Sequence, residues 1–443
     1  MNSSPTTSMP DTAQPDEPGK VTDTGTLKKD RLRFSLATIL GQSEEEGIGA
    51  VTTVIIRSLG GDALHLGFYG ATGSINLFFS WTGTLLLKAF KSYRRAMKAA
   101  MMIGCLIAAL IAAAIYLPGL YPSLKPFSLW TYLMLIVVFS GLAGTIVNIE
   151  SAWIGDLVPR GRLGWFTSYK YIISVGGGLL VSLFFARMSD LHPCSSTYAG
   201  VYLIFFLSFL VATGLYHGIT DRTPKNANFF SGGATHHERL NYKSVALWLM
   251  VLHITLWYTG RGMMFAFSAA YLLDQFHYSL TKVIVLNIGG PLMGIITLFF
   301  LGRISDRTGP RKPLLIINSI VAVSMFLWVS SAWFGVLPII LFYIISGVGG
   351  RVTAMLTTNY SLILYPAKGR SGYLAVGRMV PSIFTTIIVV ATGGLLRLLK
   401  DWHYSFMGTT LNNYHLMFTV SAILTVAAVV PLFAIGNRTV KEA

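Results

Sequence analysis

Charge is what this sequence has least of. Asp, Glu, Lys and Arg make up 12% of its 443 residues, about half the share near 25% of an ordinary soluble domain. With 53% hydrophobic residues and a mean hydropathy of +0.60, water is excluded as its main solvent. Cysteine is nearly absent, and Cys105 and Cys194, 89 positions apart, exclude a disulfide framework and a cysteine metal site. Histidines do not cluster with metal-ligand spacing, so neither a metal nor a cofactor is expected. No strand precedes Gly176-Gly177-Gly178 and no Gly-Lys-Ser/Thr follows it, which excludes a phosphate loop and with it ATP-driven chemistry. Residues 1–30 lack the basic start and apolar core of a signal peptide, and their Ser, Thr, Pro, Asp and Gly read as a disordered tail.

Long apolar runs are what the sequence has. A helix needs about 20 apolar residues to cross a bilayer core. Runs of that kind lie at roughly 34–57, 66–87, 99–117, 128–152, 166–187 and 198–217, and again at 245–272, 281–301, 313–334, 337–360, 374–396 and 413–435. The expected architecture is an all-α membrane protein of 12 transmembrane helices in two six-helix bundles, 31–219 and 244–436, joined by a polar linker at 220–243 and ending in a short tail at 437–443.

The basic residues settle which way the spans should run. Of 34 Lys and Arg, 24 fall in the termini, the linker and the loops on the same side, six fall on the other, and four fall inside spans. That bias predicts both termini in the cytoplasm of a plasma (inner) membrane protein. It also accounts for the formal net charge of +16 without nucleic acid as a partner.

The two halves repeat each other weakly. Gly47-Ile48-Gly49 corresponds to Gly260-Arg261-Gly262, and Pro159-Arg160-Gly161-Arg162-Leu163-Gly164-Trp165 to Pro366-Ala367-Lys368-Gly369-Arg370-Ser371-Gly372-Tyr373 with one residue inserted. The second register aligns Lys170 with Arg378. Two such halves about a pseudo-twofold axis place a substrate path between them near mid-membrane.

Between spans eight and nine runs Gly302-Arg303-Ile304-Ser305-Asp306-Arg307-Thr308-Gly309-Pro310-Arg311-Lys312. It resembles the G-x-x-x-D-R-x-G-R-[RK] loop of the major facilitator superfamily, and with the six-plus-six pattern the resemblance covers nearly the whole chain. The matching loop after span two keeps Gly83 and basic charge but has Leu87 in place of the family's aspartate. Asp156-Leu157-Val158-Pro159 followed by Arg160-Gly161-Arg162 is similar to the family's loop after the fourth helix, and reads equally well as a proline stop with interfacial anchors. The resemblance implies gating by Gly302, Asp306, Arg307 and Gly309, with Asp306 reaching Lys170 in the fifth span when the protein opens outward; Arg378, the repeat counterpart of Lys170, and Asp156 are counted with the gating residues.

Ionisable residues inside spans are costly and mark candidate sites. Glu44-Glu45-Glu46 lie about 13 residues in from Arg31, on the order of 20 Å deep; helical rotation lets at least one face the path, where it can hold a proton or a cation, and this cluster is the first candidate for proton coupling. Arg261 sits beside the repeat counterpart of Glu46, so a contact across the path is expected, functional or structural. Arg351, beside Gly347, Gly349 and Gly350, suits either close helix pairing or substrate contact. Glu150, near the end of span four, is a second coupling carboxylate. His253 reads as a hydrogen-bonded packing residue. Trp257 and Tyr258, with Phe265, Phe267 and Tyr271, crowd the seventh span, where rings suit flat organic solutes and equally suit packing.

The function expected is secondary transport of a small polar organic solute by alternating access, coupled to protons or to Na+, most directly as a proton symporter and a monomer. The rival is a proton-driven exporter of cationic compounds. A membrane enzyme would need clustered catalytic ligands and a channel a repeated pore loop, and neither pattern is present.

Overall fold

The computed structural model describes residues 24–42, 48–158, 163–221, 241–365 and 370–436. Over these residues every predicted span is helical. The first is α1 (Thr24–Gln42) and α2 (Ile48–Ser58), and the second is α3 (Ala63–Gly70), α4 (Thr72–Phe79) and α5 (Thr82–Phe90). The third to sixth are α6 (Tyr93–Leu120), α7 (Lys125–Leu157), α8 (Leu163–Leu191) and α9 (Ser195–His217). The seventh, eighth, tenth and eleventh are α10 (Val245–Gln275), α11 (Leu280–Thr308), α14 (Leu337–Leu364) and α15 (Arg370–Leu398). The ninth is α12 (Arg311–Ser324) with α13 (Phe326–Phe334), and the twelfth is α16 (Asn413–Ala427) with α17 (Val429–Ile435).

Among the described residues, 8 helical segments are long and apolar enough to cross a membrane: spans three to six and nine to twelve. The four below that mark are the first, second, seventh and eighth, which correspond in pairs under the repeat. They are also helices that meet across the halves, α10 against α2 and α3, and α11 against α2. A helix facing an internal path instead of lipid does not need a fully apolar surface.

The interruptions have local causes. In the second span the hydroxyls of Thr72, Ser80 and Thr82 donate to the carbonyls of Tyr69, Leu77 and Phe79, three residues back, and the helix breaks near each. Pro291 lies inside α11 and Pro381 inside α15, each removing a ladder donor. After α11 the chain reverses at Gly309, whose φ of 77° favours glycine.

One expectation needs correction. The first helix begins at Thr24, inside the segment read as tail, because Leu27 and Asp30 are each 1% exposed where α1 packs on α8 and α9. The all-α architecture holds one small addition, His403–Phe406 (β1) and Thr409–Asn412 (β2), which pair antiparallel before the twelfth span. Met407 and Gly408 both take positive φ, a tight hairpin turn without a strong sequence signal at Met407.

Residues beside the linker define one end of the molecule. There Arg94 donates to the Ile219 carbonyl at 2.8 Å, Trp153 to that of Thr220 at 3.0 Å, and Asn241 N–H to the Tyr373 hydroxyl at 2.7 Å. We call the opposite end the far end. In lipid the hydrophobic effect does not press helices together, so close packing must. A Cβ on Gly144 would stand 2.1 Å from the Asn76 carbonyl oxygen, and one on Gly347 2.2 Å from that of Gly290. A Cβ on Gly177 would meet Ile39 at 2.7 Å, so the middle glycine of the three seats the fifth span on the first.

Candidate functional site: a cavity between the halves

Among the described residues, the apolar core is continuous across the two halves toward the far end. One buried cluster joins Phe34, Met101, Ile136 and Phe205 of the first half to Met264, Trp328, Phe342 and Phe418 of the second. The linker-end part of the second half, with Leu247, Trp257, Leu314, Leu356 and Leu432, forms a separate cluster.

Polar locks reinforce the far end. Arg57 Nη2 lies 2.5 Å from Asp274 Oδ2, which also accepts from the Tyr414 hydroxyl at 2.9 Å. Arg397 Nε lies 3.1 Å from Asp62, which caps α3 and has His65 Nδ1 at 2.7 Å. Asp190 accepts the backbone N–H groups of Leu280 and Thr281 at 2.9 Å and the Thr281 hydroxyl at 2.6 Å. Burial would raise the Asp62 carboxyl, but the His65 hydrogen bonds and the charges of His65 and Arg397 outweigh it and hold it below the usual carboxylate range. Between these locks run small residues: a Cβ on Gly67 would lie 3.0 Å from Gly393 Cα, and one on Gly70 2.2 Å from Ala266 Cβ.

Toward the linker end the halves part around a cavity of about 410 Å³. Its wall includes Asn76, Asn148, Tyr258, Thr357, Arg378 and Ser382, and it reaches Ser151, Tyr365 and Leu374 near the linker-end termini of α7, α14 and α15. Arg378 is exposed in this wall.

Glu150 is 2% exposed inside the first half. One oxygen lies 2.7 Å from Lys170 Nζ; the other accepts from Thr38 at 2.9 Å and Tyr216 at 3.2 Å. The partner the structure gives Lys170 is therefore Glu150, on the neighbouring fourth span. A buried carboxylate held by a cation and two hydroxyls is compensated, and it changes its partners only if it takes a proton or the lysine leaves.

Arg261 is enclosed in the seventh span. Its guanidinium sits 5.5 Å from the Trp257 ring and 5.3 Å from the Phe265 ring, with Nη2 3.3 Å from Ser346 Oγ. Its Nη1 is buried and has no hydrogen-bond partner among the described residues. Trp257, Phe267 and Tyr271 are buried in the core, whereas Tyr258 lines the cavity. His253 bridges helices, with Nδ1 2.7 Å from the Ala428 carbonyl and Nε2 facing Asn318, which accepts from Thr353 at 2.8 Å.

Other expected site residues sit elsewhere. Asp156 accepts from the Tyr93 hydroxyl within the first half. Gly302, Asp306 and Arg307 occupy the last turns of α11 and Arg351 the middle of α14, but their side chains lie outside the described residues, as do Glu44, Glu45 and Glu46 entirely. The far-end carboxylates Asp62, Asp190 and Asp274 were missed by the sequence reading. Their signal was present: acidic residues at span ends on the side where basic residues are fewest.

Comparison with known proteins agrees with this geometry. The sequence model described as Major Facilitator Superfamily matches residues 34–387. Among curated protein sequences nothing matches. Among solved structures, a bacterial homologue of the iron transporter ferroportin in an inward-facing state aligns with TM-score 0.68 at 16% identity, covering 93% of this chain and 100% of that one. A point mutant of the nucleoside transporter NupG aligns with TM-score 0.66 at 11% identity over 93% of this chain and 100% of its own. The xylose transporter XylE from E. coli, in a partially occluded inward open conformation, aligns with TM-score 0.65 at 14% identity over 95% and 100%. These likenesses share the fold, and the match across most of the sequence fixes the family: the chain belongs to the Major Facilitator Superfamily and is a multi-pass membrane transporter of that type.

Proposed function

We propose that this chain moves a small polar organic solute by alternating access, in symport with protons. The observation that carries the reading is the divided core: one apolar cluster bonds the halves at the far end, while a polar cavity separates them toward the linker end. That is one of the two states alternating access requires. The charge bias assigns the linker end to the cytoplasm, so in this reading the state is inward-open.

For the proton we assign Glu150. In the inward-open state it holds Lys170. Protonation would remove the charge that holds the lysine and free it to meet Asp306, the gate pair expected when the cavity closes from inside. The Glu44 to Glu46 cluster is the alternative proton site, and single Glu→Gln variants separate the two. The rival exporter of cationic compounds is disfavoured by the Arg378 guanidinium in the wall.

The test is sidedness. Cys194 is exposed at the far end, and hydrogen bonds from Ser196 and Thr197 lower its thiol to about 7, so an impermeant maleimide added outside intact cells should label it rapidly at neutral pH. With Cys105→Ser and Cys194→Ser, a Thr358→Cys variant should be labelled from both faces of the membrane, with an imposed proton gradient shifting the ratio. Labelling from one face only, under every gradient, would sink the alternating-access reading.

A further inference from the structure

Membrane-embedded charge is divided unequally between the halves. The acidic residues of 244–436 are Asp274, Asp306 and Asp401. The first lies at the far-end terminus of α10, the second in the last turn of α11, and the third beyond α15. Arg261, Arg351 and Arg378 stand inside spans of the same half, and no carboxylate of that half shares the middle of a span with them. Among the described residues, the ion pairs that reach into this half are Arg57 to Asp274 and Asp62 to Arg397, both at the far end.

Arg378 is thus a permanent cation in the cavity wall without a protein counter-charge among the described residues. Behind the wall, one buried guanidinium nitrogen of Arg261 has no hydrogen-bond partner among the described residues. Tyr258, which lines the cavity, lies within electrostatic reach of both guanidinium groups. Two cations around one tyrosine repel each other, and a bound anion would relieve that repulsion.

We propose that the cavity binds a small hydroxylated organic anion, with its carboxylate or phosphate on Arg378 and the Arg261 charge behind Tyr258 reinforcing the attraction. The planar guanidinium matches either group through two parallel hydrogen bonds. Asn76, Asn148, Thr357 and Ser382 supply neutral donors and acceptors for the hydroxyls. The inference rests on the transport reading and adds a consequence: a monoanion that travels with one proton moves no net charge.

The test uses the charge of the probe. On the full chain with Cys105→Ser, Cys194→Ser and Thr358→Cys, modification rates are measured with an anionic sulfonatoethyl and a cationic trimethylammonioethyl methanethiosulfonate, each normalised to a free thiol. Thr358 is exposed in the wall, and its hydroxyl bonds only within its own helix among the described contacts. The anionic reagent should react about tenfold faster, the effect of a nearby, partly screened cation. Arg378→Gln should remove most of that preference, and Arg378→Lys should keep it. In the Thr358→Cys chain itself, without an arginine change, gluconate or glucose 6-phosphate should slow modification and glucose at the same concentration should not; which of the two anions protects distinguishes carboxylate from phosphate. Equal rates for both reagents, a preference that survives Arg378→Gln, or protection by glucose equal to that by both anions would overturn the proposal. Sidedness of labelling tests transport and the reagent ratio tests charge, so the two readings fail separately.

Discussion

Lys170 and Arg378 hold corresponding places in the fifth and eleventh spans, yet their surroundings differ. Lys170 turns into its own half, 15% exposed and 2.7 Å from Glu150; Arg378 stands in the cavity wall. The repeat has kept the backbone position of the cation and changed its partner. A cation paired inside a bundle suits exchange with a proton, which needs only the neighbouring carboxylate to change state. One without a resident partner suits a charge that arrives and leaves with each cycle.

The largest expected effect comes from removing the titratable member of the first-half pair. Glu150→Gln mimics the protonated acid permanently, so uphill accumulation should fall to background while downhill exchange survives and its pH dependence flattens. Uptake into vesicles with and without an imposed proton gradient measures this; retained uphill accumulation would return the coupling role to Glu44, Glu45 or Glu46. Next is stability. Lys170→Met strands a buried carboxylate, a loss of about 3–5 kcal/mol in comparable sites, and the Glu150→Gln/Lys170→Met double variant should recover most of it in thermal unfolding. Arg378→Met, in contrast, should leave the unfolding temperature nearly unchanged. Equal losses at Lys170 and Arg378 would erase the distinction between the halves.

Smaller effects are expected at the far end, where the halves join. Asp274→Asn breaks one exposed lock, worth about 0.2–1 kcal/mol, and should raise labelling of Thr358→Cys from outside by a few-fold at most. The smallest is a pH effect at Asp62. Its carboxyl is held below the usual range in the closed state, so its contribution to closure is complete at neutral pH and is lost as pH falls through that depressed value. Outside labelling of Thr358→Cys should therefore increase on acidification below about pH 4, and Asp62→Asn should flatten the response.

Much of the fold could be read from run length, since the bilayer sets how many apolar residues each helix needs. The hairpin at 403–412 escaped because its turn is led by methionine instead of Asn or Gly. At the site, the need of Lys170 for a partner was legible, but the partner expected was Asp306; Glu150 was read as a second coupling carboxylate, and that the two meet was not legible. Their contact follows from how α7 and α8 pack, and nothing in the spacing of 20 positions encodes it. The far-end locks were less legible still: Arg57 and Asp274 are 217 positions apart and belong to different halves. Arg261, Arg351 and Arg378 could be picked out as candidates from charge alone, because the cost of a guanidinium in a span does not depend on its neighbours being known.

The glycine seam at the far end bears on speed. Gly67 meets Gly393 backbone against backbone, and Gly70 meets the Ala266 methyl. Surfaces of this kind have almost no rotamers to freeze on contact, so they can separate and mate again without the reordering that interlocked leucines or phenylalanines would demand. Friction between the halves should then be low, leaving the rhythm of the cycle to the ions and the cargo.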